Sequence, residues 1–216
     1  EFILLAEDSG QIVDLGRWVI EQTCADLRAI LDKGLHPGSM SINVSARQLR
    51  EGTFATDVID ALRKNDIHPG YLQLEIMETT VAQNRDTAIT ILNQLREIGV
   101  QVAIDDFGTG YSSLSYLQQL PFDRIKIDKS FVELIGTSDN SENICRTIIK
   151  MAHELGKEAI AEGVETRQQA DFLAKNDCDS VQGFFYSYPL PREEFLAFVE
   201  KQDFHTQRRK ALEIVI

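Results

Sequence analysis

Apolar and polar residues alternate with a period of two at several places along the chain. Between those places apolar residues recur three and four apart. The first pattern buries a face of a strand, the second a face of a helix. From Asp14 onward, Leu15, Trp18, Val19, Leu27, Ile30 and Leu31 keep helical spacing, and Gly34 suits the position after a helix. A strand over 40–45 follows, then a helix over 56–64 with Val58, Ile59 and Leu62 on one face. His68-Pro69-Gly70 breaks the chain ahead of a strand over 71–77. A helix over 86–98 turns Ala88, Ile91, Leu92, Leu95 and Ile98 inward and stops at Gly99. Val100, Val102 and Ile104 then alternate into Asp105-Asp106-Phe107-Gly108-Thr109-Gly110. Ser112-Ser113 caps a short helix carrying Leu114 and Leu117, ended by Pro121. Next come a strand over 124–127, a polar loop over 137–143, a helix over 144–155 closed by Gly156, and a strand from Glu158 to Ile160. Thr166 and Gln169 have the spacing of a capping box for a helix to Asn176. A strand over 180–185 precedes a last helix with Pro191 in its first turn, running through Val199 to a polar tail beyond Lys201.

Strands alternating with helices predict a parallel sheet with helices outside, an α/β fold. The position of the polar residues narrows this. Each strand finishes on groups fit for chemistry: Asn43; Glu75 and Glu78; Asp105 and Asp106; Lys126 and Asp128; Glu162 and Glu165; Gln182. An open doubly wound sheet gathers its site at one switch point, whereas a (β/α)8 TIM-type barrel feeds its site from many C-terminal strand ends. The barrel is therefore expected, with about six of its eight strands in this chain and the other two upstream of Glu1. No low-complexity linker divides residues 1–216, which read as a single domain.

Composition bounds the function. The 216 residues are 43% hydrophobic, enough for a sizeable core. The net charge of −12 argues against wrapping long nucleic acid, which needs basic surface, and for most of the surface its plain meaning is solubility. A small anionic ligand stays open if cations neutralise the local field. The three cysteines, Cys24, Cys145 and Cys178, are scattered in or beside apolar runs, as buried thiols in a reducing, cytoplasmic compartment would be. The four histidines do not cluster either, so a metal here is held by oxygen, favouring Mg²⁺ or Mn²⁺. No apolar run reaches transmembrane length and no signal peptide opens the chain, so no membrane contact is expected from this segment.

Asn43, Glu75 and Asp105 put oxygen ligands on three successive strands, and Asp106 and Glu162 extend the set. Hard cations want such a set, and a shared Asp can bridge two ions. Taken singly, each carboxylate also reads as a solvated strand end. Lys126 and Asp128, two apart, share a strand face. There Lys126 positions or deprotonates a water, pairs with a carboxylate, or forms a Schiff base. Gly108-Thr109-Gly110 is a weak phosphate-loop signal, since Ser113 replaces the third Gly and no Gly-Lys-Ser/Thr follows. The glycines read better as a hinge, or as a plain turn, and Glu78 as a tether for that loop. Gln182 suits a base or phosphate, and Phe184 or Phe185 suits stacking or core packing.

Asn43-Val44-Ser45, Glu75-Ile76-Met77-Glu78, Asp105 to Gly110, Lys126-Ile127-Asp128, Glu162-Gly163-Val164-Glu165 and Gln182-Gly183, in this order, resemble the EAL domain family of bacterial cyclic di-GMP phosphodiesterases. The resemblance spans nearly the whole chain. It implies a (β/α)8 barrel, two Mg²⁺ or Mn²⁺ ions, and hydrolysis of cyclic di-GMP to linear pGpG. It implies Asn43, Glu75 and Asp105 as ligands of one ion and Asp105, Asp106 and Glu162 as ligands of the other, with the two ions clamping the attacking and leaving oxygens. Lys126 resembles the lysine that orders or deprotonates the attacking water, which with Glu162 makes the expected catalytic pair. Glu165, Gln182 and Asp128 resemble supporting and substrate-contacting groups. Phe107, Gly108, Thr109 and Gly110 resemble a mobile loop that couples dimerisation to metal binding, anchored by Glu78. A homodimer and an upstream sensory or cyclase domain are the expected partners.

The Glu-Ala-Leu strand that names the family is missing, and Glu158-Ala159-Ile160 does not replace it, because it opens the strand leading to Glu162. The chain thus reads as a fragment. A non-catalytic cyclic di-GMP receptor and a Schiff-base lyase are the competing functions. The retained ligands favour the enzyme over the receptor, and the crowd of carboxylates argues against the lyase. Residues 1–216 expressed alone are expected to hydrolyse cyclic di-GMP poorly, and robust Mg²⁺-dependent turnover by that purified segment contradicts the expectation.

Overall fold

Leu72, Leu74 and Ile76 point to one side of their strand and Gln73 and Glu75 to the other, and every neighbouring strand repeats this division. The computed structural model, which describes residues 2–78, 80, 85–109 and 117–206, turns the division into a parallel sheet of six strands in chain order. These are β1 (Met40–Val44), β2 (Leu72–Met77), β3 (Gln101–Phe107), β4 (Arg124–Ile127), β5 (Glu158–Ala161) and β6 (Ser180–Val181). The register aligns Asn43 with Glu75, Met77 with Asp105, and Lys126 with Ile160. Since paired residues of parallel strands share a face, these polar side chains fall on the concave side. Ile42, Val44, Leu74, Ile76, Val102, Ile104, Ile125, Ile127, Ala159 and Val181 take the convex side and form the core with the helices. The sheet is a half-barrel of TIM type, as the strand-end chemistry led one to expect.

Nine helices among the described residues flank the sheet: α1 (Phe2–Ser9), α2 (Ile12–Leu31), α3 (Ala46–Arg50), α4 (Phe54–Lys64), α5 (Arg85–Glu97), α6 (Lys129–Val132), α7 (Asp139–Glu154), α8 (Arg167–Lys175) and α9 (Arg192–Thr206). Helix α8 carries the expected capping box of Thr166 and Gln169. Helix α9 runs well past Val199 and is tied by ion pairs to α2, through Arg192–Asp26, and to the turn after α2, through Lys33–Glu200. None of these helices is long and apolar enough to cross a membrane.

Several expectations are corrected. Helix α2 begins at Ile12, and its buried stripe is Ile12, Gly16, Ile20, Cys24, Leu27 and Ile30, leaving Trp18 exposed. Gly16 hid that stripe: a Cβ there would lie 1.9 Å from Gln48 Nε2, so the helix meets α3 through a residue without a side chain. The polar stretch 137–143 is not all loop. Ser138 caps α7, accepting from Ser141 N at 3.3 Å, and Asp139 and Glu142 lie in its first turn, where negative charge favours the helix. Ile98 lies beyond the end of α5 and is exposed. The short helices α3 and α6 went unread because their few residues carry no apolar period. The last strand stops at Val181 rather than 185. There the chain turns against the segment after β5, with Val164 N bonded to Gln182 O at 3.0 Å and Phe185 N to Val164 O at 2.9 Å. Gly110, the short helix expected from Ser112 with Leu114, and the tail over 207–216 lie outside the described residues, while Leu117 is buried.

Two outcomes test this packing. A Cβ on Gly183 would fall 2.2 Å from the Val164 carbonyl oxygen, so Gly183→Ala should destabilise the fold by about 1–3 kcal/mol in urea unfolding. Burial pushes the Cys24 and Cys145 thiols up to about 11 and Cys178 up to about 12. At pH 8 the native protein should therefore react with a thiol reagent much more slowly than the unfolded chain, whose thiols titrate at about 8.5.

Candidate active site

Three strands deliver three carboxylates to one place. Glu75 is near the end of β2, Asp105 near the end of β3, and Glu162 directly after β5. One carboxylate oxygen from each lies within 4.8 Å of the others. The Lys126 ammonium, from β4, sits among them. It is 3.0 Å from Asp105 Oδ1 and 2.5 Å from Glu162 Oε1, and it contacts Glu75 Oε2. Lys126 is 2% exposed, Glu75 5% and Asp105 9%, so water does little to screen the group. Burial pulls the Lys126 pKa down, but the three carboxylates outweigh it and hold the ammonium firmly charged. Burial also raises the Glu162 carboxyl above its usual range, helped by Asp105 and Glu75 and opposed by Lys126. Three carboxylates against one ammonium leave two formal negative charges in the cluster.

That surplus, carried by hard oxygens, matches a divalent cation of the Mg²⁺ or Mn²⁺ kind. Glu75, Asp105 and Glu162 are the described residues able to hold one, with the ammonium of Lys126 as their present counter-charge. A protonated, ion-paired Lys126 is a poor Schiff-base nucleophile.

The two adjacent aspartates part company. The pairing of β3 with β4 shifts between Ile104 and Phe107, so Asp105 and Asp106 together stand opposite a single residue. Such a bulge re-aims side chains. Asp106 takes a left-handed backbone, φ +53°, and its carboxyl bonds to Asp128 instead of joining the cluster. Burial, the Asp105 charge and Asp128 all push Asp106 up. Burial also pushes on Asp128, but hydrogen bonds from the Ser130 hydroxyl and N–H outweigh it and hold that carboxyl low. Asp106 is thus the member of the pair that takes up a proton more readily, and Asp128 the one that stays charged. Asp128 itself lies past the end of β4 as the N-cap of α6, with Ser130 N at 2.9 Å, and so does not share a strand face with Lys126 as its spacing suggested.

Of the remaining expected residues, Asn43 lies in register with Glu75 but on the edge strand, and it is exposed. Glu78 is buried just beyond β2. Phe107 is buried in the core, Gly108 has φ +98°, with Phe131 2.9 Å from where a Cβ would lie, and the Thr109 hydroxyl donates to Asp106 O at 2.8 Å. Glu165 is exposed, and its N–H donates to Gln169 Oε1 at 2.7 Å. Gln182 donates its N–H to Ala161 O at 2.8 Å, which ties the end of β6 to the segment bearing Glu162. Gly163 lets that segment approach α6, where a Cβ would meet Lys129 Cβ at 2.6 Å. Phe184 and Tyr188 stack at 4.6 Å in the following turn, exposed. The sequence reading missed the concave-face residues behind the cluster, Gln73 and Arg124. Each stands two positions before a singled-out residue, and that spacing was the available signal.

The half-barrel has known counterparts. The EAL domain profile matches residues 1–189. Signaling protein YkoW of Bacillus subtilis is 43% identical over 202 residues, covering 94% of this chain and 25% of that protein. Cyclic di-GMP phosphodiesterase NbdA of Pseudomonas aeruginosa is 43% identical over 198 residues, covering 90% of this chain and 25% of the relative. The chain thus spans about a quarter of the length of these curated relatives. Among solved structures, the PaMucR phosphodiesterase in complex with c-di-GMP superposes with a TM-score of 0.85 at 38% identity, over 90% of this chain and 78% of that one. Matched over most of its length by profile, sequence and structure, the chain belongs to the EAL domain family.

Proposed function

We propose that the protein hydrolyses cyclic di-GMP to linear pGpG, using two Mg²⁺ or Mn²⁺ ions. The observation that supports this most is the convergence of Glu75, Asp105 and Glu162 on Lys126, in a chain whose relatives include a named cyclic di-GMP phosphodiesterase and a phosphodiesterase solved with c-di-GMP. Asn43, Glu75 and Asp105 would hold one ion and Asp105, Asp106 and Glu162 the other. Bound there, such ions supply Lewis-acid polarisation of a phosphoryl oxygen and acidify a water toward neutral pH. To take its share, Asp106 would exchange its hydrogen bond with Asp128 for the ion.

Lys126 orders the attacking water by hydrogen bonding. When its carboxylate partners are engaged elsewhere, Nζ loses the interactions that keep its proton and becomes able to accept one from that water. The water oxygen bonds to phosphorus, the bond to the 3′-oxygen breaks, and that oxygen leaves with a proton, so one water is consumed per ring opened. Gln182, Glu165 and Asp128 line the approach as substrate-contacting groups. Phe107, Gly108, Thr109 and Gly110, anchored by Glu78, couple a homodimer partner to the cluster. The chain is one cytoplasmic module of a longer protein with a sensory or cyclase domain upstream.

Incubation of the full-length protein with cyclic di-GMP and Mg²⁺ or Mn²⁺ should yield pGpG by liquid chromatography, and EDTA should stop it. Lys126→Ala should lower kcat by about 10²–10⁴-fold. Tight binding of cyclic di-GMP with no product under either metal overturns the proposal and makes the domain a receptor.

A further inference from the structure

The cluster is supported from beneath by a buried polar chain that none of the roles above uses. Gln73 is 0% exposed and lies two residues before Glu75, on the same face of β2. Its Nε2 donates to Ser41 Oγ at 2.9 Å and, more distantly, to Glu75 Oε1 at 3.4 Å. Its Oε1 accepts from Arg124 Nη1 at 2.9 Å. Arg124 is 4% exposed, and it donates to Glu158 Oε2 at 2.6 Å and to Ser39 Oγ at 3.2 Å.

The two ends of a Gln amide are nearly the same shape, so packing alone does not decide which faces which neighbour. Arg124 decides it, because a guanidinium has donors only and must face the carbonyl oxygen. The amide NH₂ is thereby turned toward Glu75. The carboxyl torsion of a Glu is soft. With Gln73 aimed at Oε1 and Lys126 on Oε2, the Glu75 carboxylate plane is held from two sides. We propose that Gln73, oriented by Arg124, is a positioning residue that fixes the plane of Glu75 for cation binding. This rests on the reading of the Glu75 cluster as the hydrolytic centre. The hydrogen-bond partners of ligating carboxylates typically contribute about 10–100-fold to metal affinity or activity.

Gln73→Glu separates orientation from packing: the shape and the contact with Arg124 remain, and the donor toward Glu75 is lost. In the full-length protein it should lower kcat and Mn²⁺ affinity, read by electron paramagnetic resonance without substrate, by about 10–100-fold each, with KM within about twofold. Arg124→Met, which frees the amide to turn over, should lose about tenfold in both, and Arg124→Lys, which keeps a donor there, should recover most of the loss. Wild-type kcat and Mn²⁺ affinity in a folded Gln73→Glu protein overturn the proposal. Should that variant fail to fold by circular dichroism, wild-type values for Arg124→Met overturn it instead. No turnover by the unsubstituted protein sinks the hydrolytic reading, and the Mn²⁺ measurements still decide the positioning role.

Discussion

Burying three carboxylates together is among the most unfavourable things a fold can do. Mutual repulsion adds to the loss of hydration, and the usual outcome is that one of them takes up a proton. Here Lys126 is the principal offset. Its ammonium touches all three, and those contacts outweigh the burial that acts against its charge. Neither side of the arrangement is stable alone, and a buried ion pair broken by removing one member leaves an uncompensated charge. The sheet register serves this balance. It brings β2, β3 and β4 together so that Glu75, Asp105 and Lys126 meet on the concave side, and the segment after β5 adds Glu162.

The bulge in β3 solves a related difficulty. Two consecutive residues of a regular strand point to opposite faces, so Asp106 would otherwise enter the apolar layer beneath the helices. The shift between Ile104 and Phe107 and the left-handed conformation at Asp106 hold it on the polar side against Asp128, while Phe107 regains the core. A non-glycine residue in that conformation is uncommon, and Asp is among those that tolerate it best. The strain lies beside the cluster, where departures from regular backbone tend to gather.

How much could be read beforehand follows from which forces act locally. The six strands were legible because their alternation is a local signature of a sheet with two unlike faces. Glu75, Asp105, Lys126 and Glu162 were legible together because barrel strand ends converge. Asp106 was not placed, since its direction depends on pairing with a strand eighteen or so residues downstream rather than on its neighbours. The start of α7 was hidden because a capped, acidic first turn has the composition of a loop. Gln73 and Arg124 were passed over because polar residues on a strand are ordinarily read as solvated, whereas a half-barrel interior buries them.

The ion pair between Lys33, in the turn after α2, and Glu200 on α9 joins residues 167 positions apart. As an exposed pair it adds little to stability. Its meaning is temporal. A growing chain makes α2 before any of the six described strands and α9 after all of them, so the end of α2 waits for its partner while those strands are made. Contacts of such long range close late and slow the search for the native state. The contacts between α2 and α9 thus bridge all six described strands.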